Sequence, residues 1–195
     1  MDYETSTILT RTQIRLISNL FRKMFKIRTI AFPVLKVLDL LVDKFENNLY
    51  YDIQEDEKFA KYVMAELVVE DKEKFCIRIR QSVFDKALEG DRASIGYVCH
   101  EMCHFFLIYI IGIGPKKYVE ADNLVYAKII DERVTPAYKS MEWQAKALCG
   151  EVMIPYEKCK NYSLEEIIYR TRSSTEQAKY FLNTVAKEGL NKSEK

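Results

Sequence analysis

The feature that most limits how this chain can fold is the stretch YVCHEMCHFFLIYIIGIG, residues 97–114. It holds both histidines of the chain, four residues apart, with a glutamate directly after the first. Ten residues without a charge follow, 105–114. An apolar run of that kind belongs either in a protein core or in a membrane. A membrane-spanning helix needs about 20 apolar residues, and this run is half that long. Extending it back to Ile95 takes in Glu101 and both histidines, and no other segment qualifies as a companion span. The stretch therefore reads as one buried helix over roughly 92–110, with Phe105, Phe106, Ile108 and Ile110 in the core. Gly112, Gly114 and Pro115 end it.

The polar half of that helix carries chemistry. Residues i and i+4 stack on one helix face, with Cβ atoms about 6 Å apart. Two imidazoles at 100 and 104 can thus converge on one zinc ion, each about 2.0–2.1 Å from it. Glu101 is turned about 100° from His100 by helix geometry, so it stands beside the metal and not on it. From there it can take a proton from a water whose pKa the metal has lowered to about 7. This is why the pattern His-Glu-x-x-His suits metal-assisted hydrolysis. The bland alternative is a pair of core histidines bonded internally.

A catalytic zinc usually has three protein ligands and an open position. No third histidine exists, and Leu107 and Ile110 stand where the metzincin pattern would place its glycine and histidine. A carboxylate must serve. Downstream candidates are Glu120, Asp122, Asp131, Glu132, Glu142 and Glu151. Glu142 is the best of these on physical grounds. It lies near the start of a predicted helix over 141–153, with the small residues Ala145 and Cys149 at i+3 and i+7. Those would let the helix lie close to the histidine helix. Its ordinary alternative is an exposed acid favoured by the helix dipole.

The rest of the chain predicts a mostly helical protein. Glycine is 6 of 195 residues and proline 4, both low, which favours long helices. Ile14, Ile17, Leu20, Phe21, Met24 and Phe25 form one stripe over 8–27, with Arg11, Arg15, Arg22 and Lys26 largely off it. A second helix follows Pro33 and runs to about Glu46. NNLYYDI (47–53), YVMAELVVE (62–70) and KFCIRIRQ (74–81) read as strands of a small antiparallel sheet with one buried face. A helix or loop over 82–90 leads to Gly90, and residues 116–139 resist assignment. SLEE (163–166) is a capping box and SSTEQ (173–177) a second, predicting a C-terminal helical hairpin.

Net charge is +1, so nothing draws the whole chain to nucleic acid or to a membrane. Residues 5–38 carry seven Lys and Arg and no acid, but an amphipathic helix ordinarily keeps such a face in water. Five cysteines without a CxxC or a disulfide rhythm suggest a reduced, cytoplasmic setting. The N-terminus lacks the charge and the apolar run of a signal peptide.

With these residues located, the chain resembles the ImmA/IrrE family of bacterial metallopeptidases over roughly 30–182. IRIRQSVFDKALEGDRASIGYVCHEMCHFFL (77–107) looks like the segment leading into that family's HExxH helix. AYKSMEWQAKALCGEVMIP (137–155) looks like its E-x-x-A helix and stop. The resemblance implies an α+β fold with a zincin-like minimal core. That fold would be N-terminal helices packed on the core (1–46), the core itself (47–156), and a C-terminal hairpin and tail (157–195). It implies a gluzincin-like site for one zinc per chain, with His100, His104 and Glu142 as ligands and Glu101 as general base. It also implies a cytosolic endopeptidase, often encoded on phages or mobile elements, whose protein substrate is a helix-turn-helix repressor. Neither direct nucleic-acid binding nor a membrane is expected. The family usually has glycine where this chain has Cys103. That thiol either competes as a ligand or, with Cys99, forms a small apolar stripe against the core. Tyr138, Tyr118 and Arg92 are candidates for stabilising an oxyanion. The alternative function is a non-catalytic metal-binding regulator that binds a repressor or antitoxin-like partner.

Overall fold

Thr10 opens the first helix. Its hydroxyl accepts from Gln13 N (3.3 Å) and its N–H donates to Gln13 Oε1 (2.8 Å), a reciprocal cap on α1 (Arg11–Met24). The protein is seen in a computed structural model that describes residues 3–71, 73–115, 117–120, 123–126 and 136–193, with side chains apart from 71, 117–126 and 186–193. α2 (Val34–Lys44) follows, with Pro33 as its N-cap. Strands β1 (Leu49–Gln54), β2 (Ala65–Asp71) and β3 (Lys74–Arg80) come next, then α3 (Gln81–Leu88) and α4 (Arg92–Phe105). Strands β4 (Lys117–Glu120) and β5 (Asn123–Tyr126) pair as a two-stranded ribbon. α5 (Met141–Met153), the short α6 (Tyr156–Cys159), α7 (Leu164–Thr171) and α8 (Thr175–Ser193) complete the chain.

The fold is α+β and mostly helical, as the sequence predicts, but the main sheet is mixed and not antiparallel throughout. β2 pairs antiparallel with β3, while β1 pairs parallel with β3, in the order β1-β3-β2. The cause is topological. Residues 55–64 turn the chain back, so β2 runs opposite to β1 at the far edge. β3 then runs antiparallel to β2, with Asp71 paired to Lys74, and fills the gap between β1 and β2. β3 thus runs with β1 and is covered on both sides. Phe75, Ile77 and Ile79 are buried as their alternation predicts, and the central position buries Cys76 as well.

α4 lies against this sheet. Asp91 caps it, accepting from Ser94 N at 2.8 Å, and Gly90 takes the positive φ that turns the chain out of α3. The helix does not stop at Phe105 but widens into one π-turn, Phe106–Ile110. Phe105, Phe106 and Leu107 are core, but Ile108 and Ile110, expected there too, are only partly buried and pack against it as the chain runs out to the exposed Gly112. Phe106 stacks on Phe21 of α1 (centroids 4.3 Å), and Phe105 meets Phe75 and Phe45 edge-on at 5.3 and 5.6 Å. Arg92–Ile110 is long and apolar enough to cross a bilayer by length and composition, yet half of that stretch is buried inside this molecule.

α1 packs on α5, and here the basic helix departs from the expected solvated face. Arg22 is buried and donates to the carbonyls of Val152 (2.6 Å), Ile30 (3.1 Å) and Thr29. Arg15 pairs with the buried Glu151 at 3.2 Å. These arginines tie helices together. The extended residues before α1 add a second tie that the sequence does not announce. Thr5 N donates to Lys139 O and Ser6 N to Gly114 O, both at 2.8 Å. Gln144 Nε2 reaches Thr7 O at 2.9 Å. The N-terminal segment thus joins the end of the histidine helix to the start of α5. At the other end, α7 and α8 form the predicted hairpin, each with a reciprocal cap, Ser163 with Glu166 and Ser174 with Gln177.

Candidate metal centre

α4 and α5 run side by side because their facing residues are small: Ala145 is fully buried and Cys99, Cys103 and Cys149 fill the seam. Ser140 caps α5, accepting from Trp143 N at 2.8 Å, so that the helix starts at Met141 and Glu142 stands in its first turn, next to α4. The two predicted histidines lie one turn apart on α4, and Glu142 spans them. His100 Nε2 is 2.9 Å from Glu142 Oε1, and His104 Nε2 is 3.1 Å from Glu142 Oε2. The two Nε2 atoms stand 3.1 Å apart. Two nitrogens about 2.05 Å from one tetrahedral metal would stand about 3.3 Å apart, so the donors already converge as a shared ion requires. The donor set, two imidazoles and a carboxylate, is one that suits zinc and its neighbours in the transition series.

The electrostatics of the group follow from that closeness. Burial opposes a charge on His100, but the Glu142 hydrogen bond and the charges of Glu101 and Glu142 outweigh it and lift its pKa to about 9. Burial would raise Glu142, but hydrogen bonds from His100 and His104, and their charge, hold its carboxyl far below the usual range. Glu101, 8% exposed, is pushed up by burial, with the histidines pulling the other way. Its Oε2 accepts the N–H of Leu67 in β2 at 2.8 Å, which fixes the carboxylate beside the triad. That partner is a backbone group, and no residue pattern could have pointed to it.

The other candidates fall elsewhere. Glu151 is a buried ion-pair partner of Arg15, with Arg11 at 4.0 Å; it lines the same cavity as His100, but its charge is taken by the arginines and it is not one of the converging donors. Tyr138 is half exposed on the turn before α5, and among the described residues no contact joins it to the triad. Tyr118 and Glu120 lie in β4 with their side chains outside what is described, and Asp122, Asp131 and Glu132 lie outside the described residues altogether. Arg92, the first residue of α4, does line the same cavity as His100 and Glu142. That cavity, about 890 Å³, opens between α4, α5 and α8. Tyr97, one turn before His100, lines it too, and its i−3 spacing from His100 is the mark it leaves in the sequence.

Cys103 does not join the imidazoles. It turns inward with Cys99 towards Cys149 of α5, and the three ligand atoms of this second group lie within 4.8 Å of one another, as do those of His100, His104 and Glu142. The structure therefore holds two groups of side chains able to take a metal ion, back to back on one helix pair. Set against protein-family models, curated proteins and solved structures, the chain finds no match in any of the three.

Proposed function

We propose that this chain is a zinc-dependent endopeptidase of the cytoplasm that hydrolyses a peptide bond in a specific regulatory protein. One observation carries the reading: the imidazoles of His100 and His104 meet the two oxygens of Glu142, with a buried glutamate, Glu101, fixed one residue along the helix. His100, His104 and Glu142 would hold the metal. Zinc, when bound, supplies a Lewis acid that polarises a carbonyl and acidifies water.

The chain's own residues supply the rest. Glu101 is raised by burial, which makes its carboxylate a better base towards an attacking water, and it passes that proton to the leaving amine. Leu67 N–H holds one of its oxygens and so sets the direction of the other. β2 is an edge strand, and an extended peptide can pair along such a rim beside Glu101. The cavity next to His100 and Glu142 takes a side chain of that peptide, with Arg92 and Tyr97 on its wall. The assignment of the substrate to a helix-turn-helix repressor rests on the resemblance of 77–107 and 137–155 to the ImmA/IrrE segments.

The test pairs the purified protein, or cells co-expressing it, with the repressor encoded beside it. Cleavage by the wild type and none by Glu101→Gln, with zinc retained in both, supports the proposal. Relief of repression by both forms with the repressor intact replaces it with the non-catalytic regulator.

A further inference from the structure

We propose that Cys99, Cys103 and Cys149 form a second metal site, specific for a soft monovalent ion, copper(I). The proposal stands apart from the peptidase reading, because it uses none of the same donor atoms.

The geometry is that of a ligand set. Cys99 and Cys103 lie one turn apart on α4, and Cys149 comes across from α5, so three sulfurs from two rigid helices face one point. Their mutual separations are within 4.8 Å. An ion about 2.3 Å from each of three sulfurs in a plane needs them about 4 Å apart. Separations of at most 4.8 Å exceed that spacing by less than about 1 Å. All three are buried, at 0%, 0% and 3% exposure, so water does not compete.

The same geometry selects the ion. Thiolate and thioether donors favour copper(I), zinc and iron–sulfur clusters. Zinc in a closed site and iron–sulfur clusters want four strong ligands in a tetrahedron, and the described residues offer three thiols here. Copper(I) is satisfied by two or three sulfurs. The one further sulfur is a soft thioether: Met153 Sδ lies 3.9 Å from Cys149 Sγ. Gln177 Nε2 of α8 donates to that Sδ at 3.3 Å and lies 4.0 Å from Cys149 Sγ, the outer hydrogen bonding that steadies a metal–sulfur unit. The buried guanidinium of Arg22 acts electrostatically on Cys99 and offsets negative charge there. Cys149 also lines the 890 Å³ cavity, which gives the ion a way in. Each thiol that binds releases its proton to solvent, and the copper stays in the +1 state throughout.

The test is anaerobic titration of the zinc-loaded full chain with copper(I) against a colorimetric chelator. The expected result is one tightly held copper(I) per chain, kept when His100 and His104 are both changed to Ala. Loss of an outer partner alone costs about 10–100-fold in metal affinity, so Cys103→Ala with Cys149→Ala should weaken copper by more than about 100-fold. Cys76→Ala with Cys159→Ala, which removes the other two thiols, should change nothing. X-ray absorption on the wild type needs no variant to fold, and it should find copper surrounded by sulfur at about 2.3 Å. Copper ringed by nitrogen, copper held as tightly after Cys103→Ala with Cys149→Ala, no copper retained by the wild type, or zinc preferred at the sulfurs would each overturn the proposal.

Discussion

Two stripes run down α4 one residue apart, and they differ in nearly everything except their backbone. His100 and His104 keep 16% and 15% of their side chains exposed, and His100 borders the cavity. Cys99 and Cys103 keep none. α5 answers both stripes, with Glu142 at its start for the imidazoles and Cys149 seven residues on for the thiols. A rotation of about 100° per residue is enough to separate a wet, borderline-hard donor set from a dry, soft one. Position on the helix decides which group keeps contact with solvent and which is sealed between the helices.

The largest expected effects break the wet stripe and spare the dry one. His104→Ala should take bound zinc from about one per chain to none, by metal analysis of the purified protein. Cys103→Ala should leave that stoichiometry unchanged; loss of zinc there would erase the distinction between the stripes. Glu101→Gln should keep the zinc and lower peptide cleavage by about 10²–10⁴-fold, the usual contribution of a positioned general base. Where α4 continues into its π-turn, burial is complete on the side facing α1. Phe106→Ala should cost about 3–5 kcal/mol in urea unfolding, since it removes the partner stacked on Phe21. A cost below about 1 kcal/mol would mean that this apolar tail is not core.

The metal-free protein offers a third contrast, in pH. His100 is raised from 6.5 to about 9 in the folded chain, which corresponds to about 3 kcal/mol. A raised pKa means that the folded state binds the proton more tightly than the unfolded one. The contribution is therefore whole below about pH 6.5 and disappears as pH climbs through 9. Glu142 is shifted down by the same ion pair, so its part is whole above the ordinary carboxylate range and lost as pH falls from there through its depressed folded value. The two are one interaction and count once. Chelated protein should lose denaturant stability between pH 6.5 and 9. Zinc-loaded protein should gain relative to it over that range, because a proton on His100 competes with the metal. Parallel curves for the two forms would mean that the ion pair does not form in the apo protein.

Much of this was legible because burial leaves a period in the sequence. The stretch 141–153 reads as a helix with the bounds it has, and the HExxH helix announces its own apolar continuation. Direction and partnership leave no such mark. Alternation in KFCIRIR predicts the buried face of β3 but cannot say that β1 runs parallel to it, since either pairing buries the same residues. Arg22 reads as a surface charge because its period places it off the apolar stripe. Only the fold brings three carbonyls round to it. Glu101's partner is a backbone N–H, and the π-turn is a backbone event; neither has a residue signature. The sulfur stripe was half visible, as Cys99 and Cys103 at helical spacing, but Cys149 meets them only through the packing of α5.

The smallest effect probes how α5 is held while it presents both Glu142 and Cys149. Gln144, fully buried, donates to Thr7 O at 2.9 Å and to Tyr138 O at 3.2 Å. It thereby links the residues before α1 to the first turn of α5. Glu142 lies in that same turn, whereas Cys149 lies near the far end of the helix. Gln144→Ala removes both of these part-buried bonds, at about 1–2 kcal/mol in unfolding. Because the loosened turn carries Glu142, zinc affinity should fall by about tenfold, in the range of an outer-shell change, and this can be read by chelator competition. Copper(I) affinity at the sulfurs, two turns further along, should stay within about twofold. If both affinities fell together, α5 would move as one rigid rod and the two stripes would be a single coupled site. If only zinc responds, the N-terminal segment serves the wet stripe alone, and residues 3–9 belong to the centre as much as the helix they precede.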